Sequence, residues 1–129
     1  MDGIAKQGPR LVYIAGPYRA PTPGLVRANV GRAMDAMAEL FLRGFAVICP
    51  HTMTHTMELY GMPDEVFLAN GIAQVLRCDA ALVLPGHEHS EGSRAELETA
   101  RQNGIPIFTS IIALAQYEWP PELPFPTLV

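Results

Sequence analysis

The residues best suited to take part in a chemical reaction lie between Leu84 and Ala100, in the segment LPGHEHSEGSRAELETA. A loop of Gly, Ser and charged residues joins an apolar, strand-like run to a helical segment. Such a junction is an anion site, because unpaired backbone N–H groups and the helix dipole converge on it. It also carries the carboxylate of Glu96, and a carboxylate can capture or stabilise the oxocarbenium-like carbon that forms when a glycosidic bond breaks. We therefore interpret Glu96 as the reactive group and the preceding loop as a ligand cradle.

Three small residues of this loop, Ser90, Gly92 and Ser93, support the cradle interpretation because they let backbone N–H groups approach an anion and add hydroxyl donors. A turn without a ligand is the alternative. The segment SRAE from Ser93 to Glu96 also fits a capping box, with Ser93 at the N-cap and Glu96 at the third helical position. The two interpretations are compatible, since we expect a carboxylate in the first helical turn to stay ionised in the helix dipole.

Two more side chains are expected near this loop. Arg19 follows the first predicted strand in a Pro-rich loop, where its guanidinium can form a charged fork with an anion. Tyr13 lies within that strand, and a buried tyrosine hydroxyl needs a hydrogen-bond partner. The alternatives for Tyr13 are orientation of Glu96 and a purely structural place in the core.

The four histidines do not predict a metal site. His51 and His55 are four residues apart, and His87 and His89 are two apart, but no Asp, Glu or Cys accompanies them at a known ligand spacing. His51 directly follows the second predicted strand, so it can still contact a ligand.

The composition describes a globular chain of 129 residues, a length that suits a single domain. A net charge of -4 argues against a broad nucleic-acid-binding face. Cys49 and Cys78 lack a CxxC spacing and are interpreted as small core residues, which fits a reducing, cytoplasmic location. The first residues lack the apolar region of a signal peptide, and no apolar run reaches the roughly 20 residues of a membrane span.

The elements that must position these residues alternate between strand and helix. This order predicts an α/β fold, a flavodoxin- or Rossmann-like three-layer domain with an open parallel sheet. Ligands bind beyond the carboxyl ends of such strands, so we expect the loops that begin at Gly16, His51 and Gly86 to converge on one site. The predicted ranges are strands at 10–15, 45–49, 80–84 and 105–108; helices at 25–43, 64–77, 94–102 and 110–116; an irregular segment at 51–64; a flexible tail at 1–9; and a Pro-rich extension at 117–129.

Four segments together carry a family resemblance: VYIAGPYR at 12–19, GFAVICPH at 44–51, LRCDAALVLPG at 76–86, and SEGSRAE at 90–96 followed by GIPIF. They resemble the nucleoside 2-deoxyribosyltransferase superfamily, and most closely its DUF4406-like branch. That superfamily also includes deoxynucleoside 5′-monophosphate N-glycosidases. The resemblance covers residues 11 to about 110.

The resemblance implies a reaction in which Glu96 attacks C1′ of a (deoxy)ribose while Tyr13 orients its carboxylate. The base leaves, and water or another base completes the reaction without a cofactor. Members assemble as homodimers or larger homo-oligomers, and a 5′-phosphate is favoured here by Arg19 and the loop serines. The expected substrate-binding residues are Gly16, Arg19, His51, Gly86, Ser90, Gly92 and Ser93.

One position departs from the family pattern. The family usually has an aspartate eight residues before the Asp79 equivalent, where it is thought to handle the leaving base. This chain has Gly71 there, with Asn70 beside it. Asn70 is therefore our candidate for a hydrogen bond to the base, but it cannot donate a proton as an acid, which leaves protonation to a group such as His51 or Asp64.

Three hypotheses follow. The first is a cofactor-free enzyme that cleaves the N-glycosidic bond of a (deoxy)nucleoside or its 5′-monophosphate, as a hydrolase or a deoxyribosyltransferase. The second is a non-catalytic module that binds or senses a nucleotide, favoured by the absence of the family aspartate. The third is a purely structural oligomer subunit without a small-molecule ligand.

Overall fold

One parallel sheet of four short strands organises the chain in the computed structural model, which describes residues 8–121. The strands are β1 (Leu11–Ala15), β2 (Ala46–Ile48), β3 (Ala80–Val83) and β4 (Ile107–Phe108), in the spatial order β2-β1-β3-β4. Each neighbouring pair is parallel. The predicted open α/β sheet is therefore confirmed, with β1 and β3 at its centre.

Helices cover both faces of the sheet. They are α1 (Pro23–Leu42), α2 (Pro50–Met57), α3 (Asp64–Val75), α4 (Glu91–Gln102) and α5 (Ile111–Gln116). Alternate side chains of β1 point to opposite faces, as in any strand. Val12 and Ile14 pack in a core with α1 and α5, whereas Tyr13 and Ala15 pack with α3 and α4. The chain therefore has the expected three layers.

The first helix begins earlier than its apolar periodicity predicted. Pro23 occupies its first turn, because a proline has no N–H to leave unpaired there and its φ is already helical. Thr22 is the N-cap, and its hydroxyl accepts a hydrogen bond from the Leu25 amide at 3.2 Å. The Pro-rich loop after β1 therefore ends at Thr22.

The prediction of an irregular segment at 51–64 is wrong for most of its length. Helix α2 spans Pro50–Met57, and a 3-10 turn follows at Glu58–Tyr60. Pro50 occupies the first turn of α2. The buried ring of His51 holds the start of α2 against the β1–α1 loop, since its Nε2 donates to the Pro17 carbonyl at 3.1 Å.

The remaining elements, apart from the start of α4, lie within two residues of their expected bounds. Of the predicted Pro-rich extension, residues 117–121 have no regular structure, and the Tyr117 ring packs edge-on against both Phe108 and Trp119. The rest of that extension and most of the predicted N-terminal tail, at 1–9, lie outside the described residues. Across residues 8–121, no helix combines the length and the apolar character needed to cross a bilayer.

Candidate functional site

A cleft of about 520 Å³ lies beyond the carboxyl end of β1, where the connections of β1 and β3 leave the sheet in opposite directions. Its walls come from the β1–α1 loop, the starts of α2, α3 and α4, and the loop before α4. Ligand clefts of α/β sheets form at this kind of switch point, and the volume suits a small molecule. The predicted site residues that line it are Gly16, Arg19, His51, Ser90, Gly92, Ser93 and Glu96.

A hydrogen bond between Tyr13 and Glu96 lies at the base of this cleft. The Tyr13 hydroxyl donates to Glu96 Oε2 at 2.5 Å, and the Tyr13 side chain is completely buried. The predicted orientation of Glu96 by Tyr13 therefore has the geometry it requires. No other hydrogen bond to the Glu96 carboxylate is formed among the described residues, which leaves Oε1 for a ligand.

Glu96 does not lie in the first turn of its helix, where it was expected. Helix α4 begins at Glu91, so Glu96 lies in the second turn, beyond the strongest effect of the dipole. Burial raises the pKa of Glu96 to about 7, and the hydrogen bond from Tyr13 opposes that rise without cancelling it. Burial, and then the Glu96 charge, raise the pKa of Tyr13, so its hydroxyl remains a donor. Glu96 therefore titrates at a clearly higher pH than an ordinary carboxyl group.

Gly71 on α3 directly faces this pair. A Cβ placed on Gly71 would fall well inside van der Waals contact of Glu96 Oε2, and only 2.8 Å from the Tyr13 hydroxyl oxygen. The position is buried. A side chain here, including the aspartate that the resemblance implies, would occupy the space that the Glu96 carboxylate fills.

The capping box predicted for Ser93 and Glu96 is also wrong. The N-cap of α4 is Ser90, whose hydroxyl accepts from the Ser93 amide at 3.2 Å. Ser93 is buried, and its hydroxyl donates to the Gly16 carbonyl at 2.8 Å. This hydrogen bond therefore connects the start of α4 to the residue that follows β1.

Arg19 does line the cleft, but its guanidinium is already engaged. It forms ion pairs with Glu58, after α2, and with Asp64, at 2.7 Å, in the first turn of α3. These pairs are exposed, so each contributes little to stability. A substrate phosphate would nevertheless have to compete with two carboxylates for the fork that was predicted to bind it.

Two predicted site residues lie elsewhere. Asn70 is exposed and outside the cleft, and its amide points to the Met53 sulfur at 3.4 Å. Successive residues of an α-helix are rotated by about 100° around its axis. Gly71 faces Glu96, so its neighbour Asn70 faces another direction. Gly86 is also absent from the wall; its φ of 89° shapes the turn before His87–His89.

His51 lines the cleft, where a hydrogen bond holds its ring in place. Burial lowers the pKa of its imidazole, so the ring is neutral at pH 7, and the Nε2 proton is used by the Pro17 carbonyl. A neutral ring with this bond is poorly suited to protonate a leaving base. Asp64, the other proposed donor, lines the cleft but pairs with Arg19.

The sequence interpretation missed several side chains of the cleft. Phe67 and Leu68 of α3 give it an apolar wall that suits the face of a base. Glu65 and Glu91 add carboxylates from the first turns of α3 and α4, where helix dipoles favour negative charge. Its place at the predicted start of α3 was the available signal for Glu65, whereas Glu91 precedes the predicted start of α4. Within residues 8–121, no three His, Cys, Asp or Glu side chains are grouped to hold a metal ion.

The fold and the cleft together define a three-layer α/β protein with a carboxylate at the base of a switch-point site. The chain belongs to the DUF7768 family, a domain of unknown function whose family model matches residues 10–110. No curated protein matches the chain. The relation to the nucleoside 2-deoxyribosyltransferase superfamily and its DUF4406-like branch stays a prediction, as do the homo-oligomer and the cytoplasmic location.

Proposed function

We propose that this protein cleaves the N-glycosidic bond of a (deoxy)nucleoside or its 5′-monophosphate, as a hydrolase or a deoxyribosyltransferase, with Glu96 as the nucleophile. The observation that carries the proposal is the Glu96 carboxyl, lodged at the base of the cleft with one oxygen bonded to Tyr13. A half-buried carboxylate whose direction is fixed by a hydrogen bond is suited to covalent capture of an electrophilic sugar carbon.

The proposed reaction has two steps. In the first, Glu96 Oε1 forms a bond to C1′ while the bond from C1′ to the base nitrogen breaks. The electron pair stays with the base, which takes up a proton from water. In the second, water or an acceptor base attacks C1′ and loses a proton to the solvent, the ester bond to Glu96 breaks, and the carboxylate is regenerated. No oxidant, reductant or metal is needed for this balance.

Tyr13 supports both steps through one hydrogen bond. Its donor stabilises the ionised form of Glu96, which is the nucleophilic form, and fixes the direction of the carboxylate. Since the pKa of Glu96 is about 7, we expect the first step to accelerate as the pH rises through that value.

A non-catalytic module that binds or senses a nucleotide is the second candidate. The observation that favours it is that the position of the family aspartate is a glycine, Gly71, while its neighbour Asn70 lies outside the cleft. Such a module would keep the cleft and bind the same ligand without turnover.

One experiment separates these candidates. The chain is incubated with a panel of nucleosides and 5′-monophosphates; free base is measured by chromatography and the melting temperature by thermal shift. The enzyme proposal predicts free base, lost in the Glu96→Ala variant. A raised melting temperature without free base selects the binding module. If no compound gives free base and none raises the melting temperature, both candidates are contradicted.

A further inference from the structure

We propose that Gly71 is a positioning residue: the missing side chain opens the slot between α3 and α4 in which the Glu96 carboxylate reaches the Tyr13 hydroxyl. The inference deepens the proposed function, and it rests on that function only for its effect on activity. Its effect on Glu96 itself can be measured without any substrate.

The geometry of the slot carries the argument. Helices α3 and α4 pack side by side on the same face of the sheet. Gly71 is a buried residue of α3 that lies opposite Glu96. A Cβ there would overlap Glu96 Oε2 and lie 2.8 Å from the Tyr13 oxygen. Real Cβ atoms essentially never approach an oxygen that closely, so one of these groups would have to move.

The group that must move can be identified. The Tyr13 ring is completely buried within a central strand, so its oxygen has little freedom. The Glu96 carboxylate is the end of a flexible side chain whose other neighbour is the open cleft. A methyl group at position 71 would therefore push the carboxylate away from Tyr13 and towards solvent.

The backbone of α3 does not need a glycine at this position. Gly71 has an ordinary helical conformation, since its φ is not positive. A glycine inside a helix costs about 1 kcal/mol relative to alanine. The space for Glu96 and Tyr13, and not the local backbone, therefore accounts for glycine here.

The test compares Gly71→Ala with Gly31→Ala. Gly31 lies inside α1, also without a positive φ, and a Cβ there meets no atom within 4 Å. The readout is the titration of the Glu96 carboxyl carbon by NMR in the full chain, from pH 4 to pH 9. The other titratable groups that act on Tyr13 are the buried thiols of Cys49 and Cys78, and neither variant alters them.

In the wild type and in Gly31→Ala, we expect a Glu96 midpoint near 7. In Gly71→Ala, we expect the midpoint to fall towards the ordinary value of 4.5, because the displaced carboxylate is hydrated again. Base release should fall at least about tenfold, with its pH profile moved in the same direction. If Gly71→Ala keeps the Glu96 midpoint of the wild type, the proposal is overturned.

The two proposals fail in different ways. A lowered midpoint in Gly71→Ala without base release from any variant supports the role of Gly71 and removes the enzymatic function. Base release by the wild type with an unchanged midpoint in Gly71→Ala supports the enzymatic function and removes the role of Gly71. If Gly71→Ala fails to fold, Gly71→Ala in the background of Glu96→Ala and Tyr13→Phe provides the second arm. That chain should fold, because both oxygens that an added Cβ would overlap are gone, and its failure to fold would overturn the proposal.

Discussion

The Tyr13 hydroxyl lies 2.5 Å from Glu96 Oε2, although the two residues are 83 positions apart in the chain. Tyr13 comes from the central strand and Glu96 from the helix that follows the neighbouring strand. The parallel register of β1 and β3 brings them together, because it places both carboxyl ends at one edge of the sheet. This pair is the chemical centre of the proposed site.

Replacing Tyr13 with phenylalanine tests whether the hydroxyl acts through Glu96. The ring volume is kept, but the only described donor to Glu96 is lost. Because that bond lowers the pKa of Glu96, its removal should raise the midpoint of the pH–rate profile above 7 and reduce kcat by about 10- to 100-fold at pH 7. Tyr117→Phe, outside the cleft, is the control. An unchanged midpoint in Tyr13→Phe would show that the hydroxyl is only structural.

The raised pKa of Glu96 also predicts how stability depends on pH. Glu96 binds its proton more tightly in the folded chain than in the unfolded chain. The free energy of unfolding that this proton contributes is fully present below about pH 4.5 and is lost as the pH rises through about 7. The shift corresponds to a free energy on the order of 3 kcal/mol. Glu96→Gln removes the titration while keeping the volume.

Urea denaturation of the wild type and Glu96→Gln at pH 4.5 and pH 8 measures this effect. We expect Glu96→Gln to gain stability relative to the wild type as the pH rises between these values. The comparison of the two chains cancels contributions from other groups, including His51, whose lowered pKa acts in the opposite direction. A difference that does not change with pH would mean that Glu96 titrates normally.

The ion pairs of Arg19 predict how the site treats a 5′-phosphate. Asp64→Asn removes one of the two carboxylates that hold the guanidinium. Affinity for a 5′-monophosphate should rise about three- to tenfold, since a charge-assisted bond becomes available and a like charge is lost. Affinity for the matching nucleoside should not change.

Isothermal titration calorimetry with such a matched pair of ligands measures both affinities. Glu98→Gln is the control, because Glu98 also pairs with an arginine, Arg101, but lies outside the cleft on α4. Equal changes for the nucleoside and the monophosphate in Asp64→Asn would indicate that Arg19 is not directed at a phosphate.

The sheet and most helices could be predicted because their signals are local. LVYIA and AALV are short and apolar throughout, as buried parallel strands require. The segment PHTMTHTM of α2 could not be recognised, because it has no apolar stripe and its proline can end a strand as well as begin a helix. Its packing against α1 and the bond from His51 to Pro17 decide in favour of a helix.

The main residues of the site could be predicted, but their hydrogen bonds and ion pairs could not. Ser90 and Ser93 both fit an N-cap by sequence, and only the bond from Ser93 to Gly16, 77 positions away, settles which one caps α4. The partners of Arg19 lie 39 and 45 positions away, so they depend on the fold. The space that Gly71 leaves for Glu96 is likewise visible only when α3 and α4 are placed together.

The most direct test of the account measures base release by Glu96→Gln and Glu98→Gln beside the wild type, with the best substrate of the panel. Glutamine keeps the size of Glu96 and an acceptor for Tyr13 but cannot act as a nucleophile. The account predicts that kcat falls by about a thousandfold or more in Glu96→Gln and stays at the wild-type value in Glu98→Gln. Base release by Glu96→Gln within tenfold of the wild type would contradict it.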